Sequence, residues 1–316
     1  MTDSTFVDHP PFFVVGSDRS GTTMLMMMLD AHPNLGVSRE SWFLIELMDA
    51  LPLHGSLNQQ QVDMAYDIIH QHPRWQRWNI PDSELASHLK KLNNPDLAEL
   101  VETVFQLDLG RSEKTRWGDK TPAYVREIKR IHSMFPQACF IHIIRDARDV
   151  CISLRNVGWH GPSLRHMARY WRNEVNSGIE AGKTIGSDIY LQIPYEKLVT
   201  DTEATLREIC SFLGEPFETN MLAWYDLTAK KTAGRPMKFQ TKLNRAPHPD
   251  DIGRWKKEMT SLDVAVVEAY AGDTMDKAGQ QRRFTKYTHL LRPLLRMLQI
   301  IRAVLRRIRR TVFKTE

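Results

Sequence analysis

The stretch that decides the fold is "VVGSDRSGTTML", residues 14 to 25. An apolar, strand-like run leads into a glycine-bounded turn and then into a helix-like run. The pattern nearly spells GxxxxGK[ST], the loop whose lysine reaches the β- and γ-phosphates of a bound triphosphate. Gly16 and Gly21 have that spacing, but Thr22 stands where the lysine belongs. A tight turn entering a helix offers free backbone N–H groups and a positive dipole end to an anion. Ser20, Gly21, Thr22 and Thr23 supply those donors, and Arg19 adds a planar cation that fits phosphate or sulfate oxygens. Without the lysine, the terminal groups of a triphosphate lack their counter-charge, so another phosphate compound is expected. The plainer alternative is a Gly/Ser turn before a well-capped helix.

Outward from this loop, three strand-then-helix units are legible. They are "PFFVVG" with "TTMLMMMLDAH", "ACFIHIIR" with "ARDVCISLRN", and "DIYLQIPYEKLV" with "TEATLREICSFLG". Short β-branched and aromatic runs bounded by turn residues mark the strands. Asp201 or Thr202 is placed to cap the third helix, and Gly214 to close it. Alternation of this kind predicts an α/β fold: a parallel β-sheet flanked by helices on both faces. Residues 41–130 read as a helical insertion that caps the mouth of the sheet and carries Trp42, Trp75, Trp78 and Trp117. A polar, Pro-containing stretch, "KKTAGRPMKFQTKLNRAPHPDDIGRWKKEM", reads as a long functional loop. The expected division is a main domain over 1–288 and a basic amphipathic C-terminal helix over 289–316.

The composition sets outer limits. The chain has 316 residues, 42% hydrophobic and 26% charged, and can bury one large core. Its +5 net charge is concentrated: residues 289–316 hold eight Lys/Arg against one acid, leaving 35 basic against 37 acidic residues elsewhere. A near-neutral body does not support general nucleic-acid binding, and no nucleic-acid partner is expected. Three cysteines without CxxC spacing, no basic-then-apolar N-terminus and no long apolar run predict a cytoplasmic protein. No cluster with metal-ligand spacing is visible.

Several further residues carry chemistry. "FIHIIRDARDVCISL" sets Arg145 at a strand's exit and Ser153 two turns into the next helix, so that both can meet one phosphate. The alternative is an Arg–Asp ion-pair cluster at a helix start. "WGDKTPAY" carries Lys120, and "LDAHPNLGVSRESWF" carries Glu40, which as an alternative pairs with Arg39 in solvent.

"RSGTTMLMMMLDAHP" resembles the 5′-phosphosulfate loop of sulfotransferases that use 3′-phosphoadenosine 5′-phosphosulfate (PAPS), above all the tyrosylprotein and bacterial branch. Asp18 departs from that branch, which usually has proline there. The resemblance implies a P-loop-NTPase-like, three-layer fold and transfer of a sulfuryl group to a hydroxyl, less readily an amine. It implies a 3′-phosphate site at Arg145 and Ser153, and a leaving-group role for Lys120. It implies that Glu40 is the base, with His32 the weaker candidate. It sets Tyr195 beside the nucleotide and Arg254 and Lys256 over its phosphates. The competing readings are a kinase with a degenerate P-loop and an inactive, membrane-associated binding protein of the same fold. The acceptor is not identified.

The tail, "LLRPLLRMLQIIRAVLRRIRRTVFK", spaces Leu291, Leu294, Leu298, Ile301, Leu305, Ile308 and Val312 along one helical stripe among arginines. An anionic membrane surface or acidic partner is expected there, which would make the protein peripheral at the inner face of a membrane. Packing on its own body or on a second copy's helix, as in a homodimer, is the alternative.

Overall fold

The computed structural model describes residues 9–158, 160–225, 246–284, 286–295, 297, 298 and 301, with 286–288 by backbone alone. These fall into two compact units. The first joins Met1–Ile144 to Ser177–Pro249, and the second joins Arg145–Asn176 to Asp250–Glu316.

The first unit holds a five-stranded, wholly parallel sheet. Its strands are β1 (Phe12–Val15), β2 (Leu35–Ser38), β3 (Arg116–Asp119), β4 (Cys139–Ile144) and β5 (Tyr190–Pro194), in the order β2-β3-β1-β4-β5. Every residue of β1, β3 and β4 is buried, as expected of inner strands covered on both faces. The strands β1, β4 and β5 are the three legible in the sequence. Helix α1 (Thr22–Asp30) follows the glycine loop directly.

The reading of 41–130 as helices needs a correction. Helices α2 (Phe43–Ala50), α3 (Gln59–Gln71), α4 (Asp82–Leu89) and α5 (Leu97–Leu109) are present, but β3 lies in the same region and is the neighbour of β1. The sequence "RWGD" hides this strand because its burial is not apolar. Arg116 donates from Nε to the Pro10 carbonyl at 2.6 Å and lies 3.6 Å from Glu215. Asp119 accepts from Ser41 Oγ at 2.8 Å. Gly118 leaves room for the Phe12 ring. The partners of Arg116 and of Asp119 Oδ2 are supplied from elsewhere in the chain, which no local pattern reveals.

Trp75, Trp78 and Trp117 are 1–3% exposed and form core, with Phe105 stacked on Trp117 at 4.2 Å between centroids. Capping residues set the helix starts: Asn58 and Gln61 form a reciprocal capping box on α3, and Asp96 caps α5. After α6 (Ile128–Met134), α7 (Ala147–Val157) begins the second unit, and α8 (Leu164–Ile185) returns the chain to the first. The first unit then adds α9 (Tyr195–Thr200) and α10 (Thr202–Leu213), with Gly214 closing α10 at φ 73° as expected. Asp201 sits at the N-cap of α10 without a capping bond. The second unit continues with α11 (Trp255–Glu258), α12 (Ser261–Lys277) and a 3-10 helix over Lys286–Leu291. Residues 226–245 of the expected long loop lie outside the described residues.

Gly118 yields a direct test of the β3 packing. A Cβ there would fall 2.4 Å from Phe12 Cζ. Gly118→Ala is expected to lower stability by about 1–3 kcal/mol, read as an earlier urea midpoint. An unchanged midpoint would contradict the close contact of β3 and β1.

Candidate active site

The carboxyl ends of three adjacent strands bring the sequence-predicted residues of the first unit together. Ser38 of β2 is paired with Asp119 of β3, so Glu40 and Lys120 leave the sheet side by side. Phe13 of β1 is also in register with Asp119, and β1 runs straight into the glycine loop. Ligands of open parallel sheets bind at these strand ends.

In the loop, Gly16 N donates to the Pro122 carbonyl at 3.4 Å, and its Cβ position lies 2.6 Å from the Ile143 carbonyl oxygen. Gly21, at φ 95°, stands at the N-cap of α1, where no side chain caps the helix. The first-turn N–H groups beginning with Thr22 and Thr23 therefore keep their capacity for an external acceptor. A Cβ on Gly21 would meet the ring of Tyr195 at 2.4 Å, so Tyr195, buried at the start of α9, presses directly on the loop. Ser20 is fully buried and its hydroxyl is 2.6 Å from that of Ser17. Its hydroxyl thus serves the shape of the loop, which the sequence reading did not separate from ligand contact.

Glu40 does not pair with Arg39, which is exposed. Lys120, 4% exposed, donates from Nζ to Glu40 Oε1 at 2.6 Å. Glu40 Oε2 accepts from Trp42 Nε1 at 3.1 Å and from Arg74 Nη1. The Arg74 guanidinium also lies over the Trp42 ring, 5.0 Å from its centroid. Burial pushes the Glu40 carboxyl up, but the charge and hydrogen bond of Lys120, with Trp42 and Arg74, hold it below the usual carboxylate range.

Behind this pair lies a buried polar layer. Ser41 donates from N to Thr121 Oγ1 at 3.0 Å and from Oγ to Asp119, and its Oγ is 2.5 Å from the Tyr124 hydroxyl. Complete burial raises Asp119 to about 7, against the pull of Ser41, Thr121 and Lys120. Trp42 was named in the sequence only as one of four tryptophans of the 41–130 region, and Arg74, Ser41, Asp119 and Tyr124 were not singled out, although "RESW" and "GDKTPAY" contain the predicted pair.

Backbone strain points to the same place. Four non-glycine residues have positive φ among the described residues. Two are asparagines, which tolerate it; the others are Arg19 (φ 67°) and Trp42 (φ 46°). Strain of this kind persists where surrounding contacts impose it, commonly at functional sites.

His32, the alternative base, is fully buried and committed. Its Nδ1 accepts from Asn34 N at 3.1 Å and its Nε2 lies 2.8 Å from the Pro216 carbonyl. Both ring nitrogens are taken up in closing the end of α1.

The second unit carries the other predicted cluster. Arg145, directly after β4, is nearly buried. It donates from Nη2 to the Asp251 carbonyl at 2.6 Å and lies 4.0 Å from Asp149. Asp149 in turn accepts from Gly253 N at 2.7 Å and Trp255 N at 2.9 Å. This one carboxylate ties the segment bearing Arg254 and Lys256 to the start of α7. Arg254 itself pairs with Glu258 at 2.8 Å, and Lys256 lies 5.9 Å from the Trp255 ring centroid. Ser153 is half-buried on α7. The ion-pair cluster weighed as an alternative for "RDARD" exists too. Arg148 is held by Asp146 at 2.6 Å and Glu268 at 2.8 Å, and its guanidinium lies 3.7 Å from the Trp255 ring centroid.

Comparison with known proteins gives the family and the fold. Residues 10–219 match the model of a family described as the sulfotransferase family. Protein-tyrosine sulfotransferase A of Caenorhabditis elegans is 23% identical over 227 residues, 70% of this chain and 54% of its own. Protein-tyrosine sulfotransferase of Drosophila melanogaster is 25% identical over 270 residues, 84% of this chain and 50% of its own. The chain thus spans about half the length of these curated relatives. Among solved structures, the sulfotransferase domain of the Synechococcus PCC 7002 olefin synthase shares the fold. Its TM-score is 0.61 at 23% identity, covering 85% of this chain and 98% of that domain. Arg254, Lys256 and the basic tail fall outside the family match. That match runs from β1 through α10, taking in every strand of the sheet and both members of the Glu40–Lys120 pair, and on that extent the chain belongs to the sulfotransferase family.

Proposed function

We propose that this protein transfers a sulfuryl group from PAPS to a hydroxyl-bearing acceptor. The observation that carries the reading is the Lys120–Glu40 contact at the strand ends, next in the sheet to a loop that has Thr22 in place of a triphosphate-binding lysine. The uncapped start of α1 fits a 5′-phosphosulfate, with Arg19, Thr22 and Thr23 as its ligands and Tyr195 as a wall of the loop. Arg145 and Ser153 are assigned to the 3′-phosphate, with Arg254 and Lys256 over the phosphates.

Sulfuryl transfer through a loose transition state asks for positioning, a base and a cation at the leaving oxygen. Glu40 takes the acceptor's hydroxyl proton as that oxygen bonds to sulfur. Lys120 neutralises the charge left on the phosphate oxygen when the sulfur–oxygen bond breaks. The two roles are linked through the pair itself. Burial pushes Glu40 up, and Lys120 is the chief group that holds it down. As the ammonium turns toward the leaving oxygen, Oε1 is released and burial makes Glu40 a stronger base. Trp42 and Arg74 keep Oε2 in place meanwhile.

Isothermal calorimetry tests the donor. The protein is expected to bind 3′,5′-ADP at least about tenfold more tightly than 5′-AMP, because a charge-assisted contact to the 3′-phosphate contributes about 1.5–3 kcal/mol. Equal affinities would remove the donor assignment.

Glu40→Gln tests the chemistry and separates an enzyme from an inactive binding protein. The variant should keep its 3′,5′-ADP affinity and lose about 10²-fold or more in turnover, measured with labelled PAPS on phenol, sugar and peptide-tyrosine acceptors. Undiminished turnover would move the base elsewhere. Absence of transfer by the unaltered protein to any acceptor would favour the binding-protein reading.

Asp119 gives a stability signature of the same site. Its folded-state value, about 7, is above its ordinary value, so the folded protein holds the proton longer. Stability should therefore fall as pH rises from about 4 to about 7, by up to about 1.4 kcal/mol per pH unit for one proton. Asp119→Asn should remove that slope in urea titrations. A slope that survives in the variant would assign the effect to another group.

A further inference from the structure

The last described stretch of the chain presents an apolar face to solvent. Six of the seven exposed large hydrophobic residues among the described residues lie within it: Leu290, Leu291, Leu294, Met297, Leu298 and Ile301, at 38–66% exposure. Met64 is the seventh, far off in sequence. The stretch is nevertheless anchored to its own unit by other side chains. Arg292 donates from Nε to the Ala269 carbonyl of α12 at 2.7 Å and lies 5.3 Å from the Tyr270 ring centroid. Leu295 is buried. The edge bearing Arg292 and Leu295 faces the body of the unit, and Leu291, Leu294, Leu298 and Ile301 do not. Self-packing of the stripe, the alternative left open by periodicity, is thus not what these residues do.

The charge of the sequence selects the occupant. Residues 289–316 carry eight Lys/Arg and a single acid. A second copy of this segment would bring two strongly positive stretches together, which costs free energy at the close range an apolar contact needs. An anionic lipid surface has the opposite charge and accepts apolar side chains at the headgroup–acyl boundary. Arginines at 292, 296 and 302 interrupt the apolar run too often for a membrane span and suit a segment lying in the surface plane.

We propose that residues 290–301 seat on an anionic lipid surface through Leu291, Leu294, Leu298 and Ile301, with the basic sequence of 292–314 supplying the electrostatic attraction. The remainder of the predicted stripe, Leu305, Ile308 and Val312, lies outside the described residues. The inference is independent of the catalytic reading.

The test is co-sedimentation of the full chain with two vesicle types. One is phosphatidylcholine alone, and the other is phosphatidylcholine with phosphatidylglycerol in equal parts. Binding to the anionic vesicles is expected to be at least about tenfold stronger and to weaken as salt is raised. The combined variant Leu291→Ser, Leu294→Ser, Leu298→Ser and Ile301→Ser should keep the melting temperature, since these side chains are exposed, and lose most of the vesicle binding. Equal binding to both vesicle types, or anionic binding undiminished in the four-serine variant, would overturn the proposal. So would binding to neither type, with sedimentation velocity showing a dimer that the variant dissociates; the stripe would then be a contact between copies.

Discussion

The hydrogen-bonded ion pair of Lys120 and Glu40 is the constraint around which the first unit is organised. It brings two residues eighty positions apart to within 2.6 Å, which requires β2 and β3 to be neighbours in register. Burying a charge without a partner costs several kcal/mol. Lys120 therefore needs Glu40, and Glu40 is further held by Trp42 and Arg74. The strained backbone of Trp42 is understandable on these terms, since its indole must reach back to the carboxylate two residues earlier. The same arrangement makes the pair responsive. Lys120 holds the Glu40 carboxyl below the usual carboxylate range against the upward push of burial.

The layer beneath explains how a strand reading "RWGD" can be central to the sheet. Arg116 at one end satisfies backbone carbonyls and Glu215, Gly118 admits Phe12, and Asp119 at the other end joins Ser41 and Tyr124. Networks of this kind are costly when incomplete and specific when complete. In the second unit Asp149 has a comparable position. It binds the amides of Gly253 and Trp255 and faces Arg145, so a single carboxylate fastens a distant basic segment to the start of α7.

The glycine loop was legible because its chemistry is local. Spacing, turn residues and the entry to a helix lie within twelve positions, and β1, β4 and β5 announce themselves as short apolar runs. Glu40, Lys120, Arg145 and Tyr195 were singled out through resemblance of short segments, each readable without knowing its neighbours in space. Arg74 was not singled out, because it reaches Glu40 from the turn after α3 and nothing in "HPRWQRW" distinguishes it from a surface arginine. The edge strand β2 was passed over for a related reason: "LGVS" is short and carries a glycine, and its pairing is decided by β3.

What the sequence by itself determined is therefore the part written in contiguous residues: the phosphate-type loop, the strand–helix alternation, and the periodicity and charge of the tail. Tertiary structure alone decided the partners of buried polar groups. It took His32 out of consideration as a base by occupying both ring nitrogens, and it moved Glu40 from Arg39 to Lys120. It also left Leu291, Leu294, Leu298 and Ile301 exposed while Arg292 and Leu295 anchor that stretch to its own unit. The physical reason is common to all three. A polar or charged group takes the partner that satisfies it at least desolvation cost, and which partner is within reach is a property of the assembled chain.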